Sequence, residues 1–291
     1  MKKIYPKLWP YLLAVAVLLL YLIGRPPEHN IKPLLFPQLE RNRIVKVKIS
    51  KFSHTESPEL ITLQKEPGWK VVSSFKPYPA DLRAVNMLLK RIVFLREGDF
   101  VTDNPVKYPV FQVEGSYLLI EVFSQGMEKP AAFYIGKNGP NLTGTYFRKA
   151  DSKRVFLLRR NIHLSFDRYE WRRKELFDFP ESRITGLSVA YHNFSCTVSG
   201  EKERLAAGKL IREIRRLRAA DFASARDKPT FDPAGLLTVK ISMAGAKEIK
   251  LLIGGQRNPT LTYAKIEGRG EVYLLLSQTV ARIKQLAKDL N

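Results

Sequence analysis

The sequence has a single cysteine, Cys196, and only four histidines among its 291 residues. One cysteine excludes an internal disulfide framework, a zinc cluster of the usual four-ligand kind and a lipid-attachment cysteine near the N-terminus. The histidines, His29, His54, His163 and His192, stand in no recognisable catalytic or metal-binding motif. We therefore expect no metal site, no cofactor and no catalytic set, and we interpret the chain as a non-enzymatic protein.

Acidic residues are also scarce, since 28 Asp and Glu face 49 Lys and Arg and leave a net charge of +21. Glycine and proline are too few for a fibrous or disordered chain, and 45% of the residues are hydrophobic. At about 150 residues per domain, the length predicts two modest folded domains. The excess of positive charge indicates an anionic partner or surface.

Long apolar runs are absent except at residues 8–23, LWPYLLAVAVLLLYLI. Extended back to Ile4, this run forms about 20 helical residues, enough for the roughly 30 Å of a bilayer core. Small residues in an A-x-A pattern do not follow it, so we expect an uncleaved signal anchor in residues 1–24. The anchor residues are those of the apolar stretch and its interfacial aromatics: Trp9, Tyr11, Leu18, Leu19, Leu20 and Tyr21.

The distribution of charge around this segment predicts its orientation. Lys2, Lys3 and Lys7 precede it, whereas Arg25 and Lys32 are the only basic residues that closely follow it. The positive-inside rule then places the N-terminus in the cytoplasm. We expect a single-pass protein of the inner membrane whose C-terminal bulk is extracytoplasmic, in the periplasm.

After a Pro-rich linker, residues 25–41, two stretches follow the same pattern of alternating strands around one amphipathic helix. Asp99-Phe100 recurs 122 residues later as Asp221-Phe222, and Ile135-Gly136 recurs 118 residues later as Ile253-Gly254. We therefore predict two tandem α+β repeats, residues 42–170 and 171–291, each an antiparallel sheet with a long helix. The second repeat is shorter before its helix and is expected to lack a hairpin strand. Gly254-Gly255 is expected to form a hairpin turn.

In these features the chain resembles a bacterial family of membrane-anchored proteins, domain of unknown function 4340, over most of residues 35–290. The resemblance rests on five short segments: Leu35-Phe36-Pro37, Pro67-Gly68-Trp69, Ala80-Asp81-Leu82, residues 171–179, and the Ile-Gly pairs followed by Tyr146 or Tyr263. It implies an extracytoplasmic, repeated α+β module, sometimes encoded beside transporters linked to gliding motility. It implies no catalytic residue, and the strong positive charge departs from the family's general pattern.

Basic residues concentrate in two places. Seven Lys or Arg and only two acids lie between Lys202 and Arg218, on one predicted helix whose buried stripe is Leu210, Ile214 and Leu217. A second cluster precedes and enters the second repeat, with Tyr169 and Trp171 interleaved. The candidate residues for binding an anionic partner are Lys209, Arg212, Arg215, Arg216, Arg172 and Arg173.

These features favour a membrane-anchored binding or scaffolding module, an accessory subunit of an envelope or transporter-associated assembly with a protein partner. An anionic lipid or glycan is an alternative partner. A surface enzyme acting on an acidic polymer is an alternative function, although it lacks an identifiable catalytic set. The predicted topology argues against nucleic acid, and a solvated basic face without a partner accounts equally well for the charge.

Overall fold

The computed structural model describes residues 9–23, 32–52, 58–72, 77–115, 117–224 and 226–290. The chain divides into two compact units: unit 1 comprises Met1–Pro77 and Leu82–Trp171, and unit 2 comprises Tyr78–Asp81 and Arg172–Asn291. Each unit contains one sheet, and its paired strands are antiparallel. The predicted α+β class with two antiparallel sheets is therefore confirmed. His29, His54 and most of the predicted linker lie outside the described residues.

The N-terminal helix, α1, extends over Trp9–Ile23, which are 15 residues. No helix in the described ranges is both long enough and apolar enough to cross a membrane. Tyr11, Leu18 and Leu19 are more than half exposed on this helix. Trp9, Leu20 and Tyr21 also lie on it, but their side chains are outside the described part. The predicted anchor includes residues before Trp9 that the structure does not describe, so membrane anchoring stays a prediction.

The larger sheet has nine strands in the order β4-β3-β2-β1-β6-β7-β8-β9-β5 and lies in unit 1, except that residues 78 and 79 of β4 belong to unit 2. Its strands alternate buried and solvent-facing positions, as β6 shows along its whole length. The bounds are β1 Ile44–Lys51, β2 Glu59–Lys65, β3 Trp69–Val72, β4 Pro77–Pro79, β5 Asp99–Thr102, β6 Leu118–Ser124, β7 Ala131–Asn138, β8 Thr145–Lys149 and β9 Val155–Leu158.

One long helix accompanies this sheet, as predicted. Helix α2 (Leu82–Val93) buries the apolar residues that recur every three or four positions, including Val85, Leu88 and Ile92. Two single-turn helices follow, α3 (Tyr108–Phe111) and α4 (His163–Phe166), together with short 3₁₀ turns at Pro105–Lys107 and Pro140–Leu142. Packed aromatic rings, among them Phe133 and Phe147, with centroids 5.2 Å apart, fill the core.

The sheet of unit 2 has seven strands in the order β11-β10-β13-β14-β15-β16-β12. This order matches β2-β1-β6-β7-β8-β9-β5 of unit 1, strand for strand. Among the described residues from Arg172 onward, nothing corresponds to β3 and β4, in line with the predicted missing hairpin strand. The bounds are β10 Ile184–Tyr191, β11 Phe194–Val198, β12 Asp221–Phe222, β13 Leu237–Met243, β14 Ala246–Asn258, β15 Leu261–Ile266 and β16 Val272–Leu276.

The helical part of unit 2 differs from the prediction of one helix between Lys202 and Arg218. Helix α5 (Glu201–Ala206) ends at Ala207, which has non-helical dihedral angles, and helix α6 (Gly208–Arg215) begins after it. A glycine at the start of α6 weakens helix continuity at this position, because glycine is a poor helix former. Helix α7 (Ser277–Lys288) closes the chain, and 3₁₀ turns lie at Glu181–Arg183 and Pro233–Gly235.

The same close backbone contact occurs within each unit, on an inner strand of its sheet. A Cβ atom added at Gly136 of β7 would lie 2.1 Å from the carbonyl oxygen of Phe111, and one at Gly254 of β14 would lie 2.1 Å from that of Thr230. Both glycines stand where the strand pairing shifts register, as at a β-bulge. The expectation of a hairpin turn at Gly254-Gly255 is thus wrong. These glycines lie inside a strand because another backbone segment approaches too closely for a side chain.

Replacement of either glycine by alanine should destabilise its own unit. Because the opposing atom is a backbone carbonyl that cannot rotate away, we expect Gly136→Ala and Gly254→Ala each to cost about 3 kcal/mol of unfolding free energy. Gly68→Ala and Gly235→Ala are matched controls, since no atom lies within 4 Å of the added Cβ. Urea denaturation with hydrogen exchange checks this, and equal stability of all four variants would contradict it.

Candidate functional site

The basic segment of unit 2 forms two faces on α5 and α6. Leu210, Ile211 and Ile214 are buried in the core of the unit, as is Leu217 directly after α6. Lys209, Arg212 and Arg216 are exposed on the other side. The predicted buried stripe is confirmed, and three of the candidate cations lie on the open face.

Two further arginines of this segment are used inside the unit. Arg215 donates from Nε to the carbonyl oxygen of Phe179 at 3.1 Å, and Arg204 donates to that of Ile184 at 2.8 Å. Both side chains are half-buried. These guanidinium groups therefore connect α5 and α6 to the segment that enters β10, and Arg215 contributes less to an exposed surface than its sequence position indicates.

The two acids of the segment also have internal partners. Glu203 accepts backbone hydrogen bonds from Ser199 at 2.8 Å and Gly200 at 3.2 Å, at the start of α5, and these bonds lower its pKa. Glu213 forms an ion pair with Arg282 of α7 at 3.3 Å. Both carboxylates are therefore engaged elsewhere, and neither forms an ion pair with Lys209, Arg212 or Arg216.

A shallow depression of about 380 Å³ lies beside these cations, between α5–α6 and the end of α7. Lys209 and Arg212 line it together with Leu205, a leucine that is 86% exposed. Asp289 is the one carboxylate in the lining, and it accepts a hydrogen bond from Gln285 at 2.7 Å. The site thus combines the apolar side chains of Leu205, Leu286 and Leu290 with two cations and one carboxylate.

The second predicted cluster is mostly structural. The Arg172 guanidinium lies 3.9 Å from the ring centroid of Phe222 and 5.4 Å from that of Tyr78. Arg173 forms an ion pair with Asp178 at 2.7 Å, and the Arg173 hydrogen bond lowers the pKa of that carboxyl. The structure therefore does not join Arg172 and Arg173 into one free basic patch.

One group of titratable side chains lies in unit 1, around α4. Asp167 accepts a hydrogen bond from the Tyr117 hydroxyl at 2.9 Å and forms an ion pair with Lys51 at 3.0 Å. Burial alone would raise the pKa of Asp167, but these two partners hold it below its ordinary value. Burial, together with the bond to Asp167, raises the pKa of Tyr117 to about 12.

His163 lies next to this group but takes no part in its hydrogen bonds. Both ring nitrogens are buried without a hydrogen-bond partner in the described part of the chain, and the ring packs edge-on against Tyr117 at a centroid distance of 5.2 Å. Burial lowers the pKa of His163, although the charge of Asp167 opposes the shift. No carboxylate orients the imidazole, so the arrangement differs from that of a general base.

The other candidate groups show no assembled chemistry. His192 has a positive φ of 51° in the turn between β10 and β11. Cys196 is a free, buried cysteine on β11, and burial raises the pKa of its thiol. Within the described ranges, no group of three or more His, Cys, Asp or Glu could hold a metal ion.

A comparison with protein families identifies the chain. The family model described as "domain of unknown function (DUF4340)" matches residues 69–238, which are more than half of the sequence. The chain belongs to the DUF4340 family. The match begins at β3 and ends in β13, so Leu35-Phe36-Pro37 and Tyr263 of the expected resemblance fall outside it. No curated protein and no solved structure gave a significant match.

The environment of His163 predicts a pH-dependent stability. Its pKa is lowered in the folded state, so unfolding takes up a proton below the ordinary histidine pKa of about 6.5. The free energy of unfolding therefore decreases as the pH decreases in that range. His163→Phe keeps a ring beside Tyr117 and removes this proton uptake. We expect it to change stability by less than about 1.5 kcal/mol at pH 8 and to raise stability relative to wild type progressively below pH 6.5. Thermal unfolding across this range checks it, and parallel curves for both proteins would contradict it.

Proposed function

We propose that this chain is a binding module of a cell-envelope assembly. It docks an acidic protein partner through Lys209, Arg212 and Arg216, the exposed cations of α6 and its C-terminal end. In this proposal the N-terminal segment is a single membrane anchor with a cytoplasmic N-terminus, and both units are periplasmic. The exposed apolar side chains of α1 support the anchor, because Tyr11, Leu18 and Leu19 are more than half exposed. The order of charges around the segment supports the orientation.

The observation that carries the binding proposal is the separation of charges on α5 and α6. Glu203, Glu213 and Arg215 are used within the unit, whereas Lys209, Arg212 and Arg216 are exposed. Since Lys209, Arg212 and Arg216 have no acidic partner among the described residues, this surface attracts an acidic partner and accelerates its association. Leu205 beside Lys209 and Arg212 adds an apolar contact that favours a protein over a polyanionic chain.

The triple variant K209E/R212E/R216E should lose the partner while the fold is retained. Exposed charges contribute little to folding, so we expect a change in stability below about 1 kcal/mol. Crosslinking of the full-length protein in native membranes, followed by affinity capture and mass spectrometry, should show at least a tenfold lower recovery of a transporter or envelope subunit. Raised salt should also weaken wild-type binding.

The matched control is K228E/K240E/K247E, which reverses three exposed lysines elsewhere on unit 2. It changes the net charge by the same amount and should leave recovery near the wild-type level. Equal losses in both variants would contradict a specific surface. Recovery of only lipid or glycan would contradict the proposal of a protein partner and would favour an anionic lipid or an acidic polymer.

A further inference from the structure

Unit 1 contains a cavity of about 990 Å³ beside the C-terminal half of α2. Its walls come from α2, from the segment that connects α2 to β5, and from the residues that follow β9. Gly98 of the connecting segment packs so tightly on β9 that an added Cβ would lie 2.2 Å from the carbonyl oxygen of Leu157. This backbone contact holds one wall of the cavity in place, and the volume is typical of small-molecule sites.

The exposed face of α2 at this cavity combines apolar and basic side chains. Met87 and Phe94 are 62% and 61% exposed and lie two helical turns apart, on the same side of α2 and its end. Lys90 and Arg91 lie between them on that side. Behind this face the cavity is apolar, because Leu95, Leu158 and Ile162 are buried residues of its wall.

The charged residues of the cavity fall into two groups. Arg159 forms an ion pair with Asp99 at 2.8 Å, Lys32 lies 3.9 Å from the same carboxylate, and Arg96 donates to the Lys32 carbonyl oxygen at 2.7 Å. Lys90, Arg91 and Arg160 have no hydrogen-bond or ion-pair partner among the described residues. Glu97 is the second acid of the wall. Three unpartnered cations therefore outnumber one available carboxylate.

We infer that this cavity binds a single anionic amphiphile, a lipid monomer whose phosphate or carboxylate head meets Lys90, Arg91 and Arg160. Guanidinium groups suit such heads because they donate two hydrogen bonds in the geometry that these oxygens accept. The acyl chain lies along Met87 and Phe94 and enters the apolar wall. Each methylene group of the chain that leaves water strengthens binding. The site lies within unit 1 and is independent of the proposed docking surface of α5 and α6.

The test uses the full-length protein in nanodiscs of zwitterionic lipid with a photoactivatable oleoyl lysophosphatidate as the probe. We expect saturable labelling of the peptide that contains Met87 and Phe94. The double variant K90E/R91E should raise the apparent Kd at least tenfold, because charged hydrogen bonds to the head are lost. A monoacylglycerol probe with the same chain and no charge should label this peptide far more weakly.

Two further variants keep the inference falsifiable. M87S/F94S removes the apolar contacts and should also weaken labelling, while K107E/K129E and V106S/V110S change exposed residues of unit 1 outside the cavity and should not. Equal labelling in K90E/R91E, or labelling spread over Val106 and Val110, would overturn the site. If inorganic phosphate fully prevented labelling, the ligand would be a free anion and the inference of an amphiphile would be wrong. If labelling required anionic vesicles, the protein would adsorb to a bilayer surface instead of binding a lipid monomer, and the inference would also be wrong.

Discussion

In each unit, a backbone carbonyl lies against a glycine of an inner strand, and the packing of the unit depends on this contact. In unit 1 the carbonyl belongs to Phe111 and the glycine is Gly136, and in unit 2 they are Thr230 and Gly254. The contact leaves no room for a Cβ. It therefore holds the segment between β5 and β6 of unit 1, and the segment between β12 and β13 of unit 2, directly over the bulged strand. Because the strand order is the same in both sheets, the duplicated contact supports an origin of the two units by internal duplication.

The side chains that secure this contact differ between the units. In unit 1, Phe111 stacks on Tyr146 with ring centroids 4.6 Å apart. In unit 2, the matching Tyr263 donates to Asp227 at 3.0 Å, and Arg257 forms an ion pair with the same carboxylate at 2.8 Å. Hydrogen bonds from the hydroxyl and the backbone N–H of Ser224, and then from Tyr263, lower the pKa of Asp227. One backbone geometry is thus maintained by aromatic packing in one unit and by a charged network in the other.

The same divergence extends to the surfaces. Arg148 of unit 1 is buried between the rings of Tyr108 and Tyr134, at 4.3 and 4.6 Å, and donates to backbone carbonyls, including that of Val113 at 3.0 Å. At the matching position of unit 2, Lys265 lies 4.3 Å over the ring of Phe231. Several cations of this basic chain therefore have structural roles, whereas others, including Lys209, Arg212 and Lys90, are exposed. This separation is the basis for proposing a docking surface on α5 and α6 and a lipid site beside α2.

Sequence periodicity predicted the two sheets, helix α2 and the buried stripe of α6, because all of these depend on the local periodicity of apolar residues. It did not predict the break at Ala207, because a single glycine is a weak local signal, or the in-strand position of Gly254, because that depends on a tertiary contact. The partners of Arg215 and Arg172 are far away in sequence, at Phe179 and Phe222, so no local pattern reveals that these arginines are occupied. The cavity beside α2 was also missed, because its walls combine α2 with residues that follow β9.

The most direct test of the binding account places a photo-crosslinking amino acid at position 212, on the exposed face of α6, in the full-length protein in its native membrane. A second protein carries the same group at position 240, an exposed site on β13. The account predicts a protein crosslink from position 212 that maps to an acidic segment of one partner and is absent from position 240. Crosslinks to lipid alone, or the same products from both positions, would contradict it.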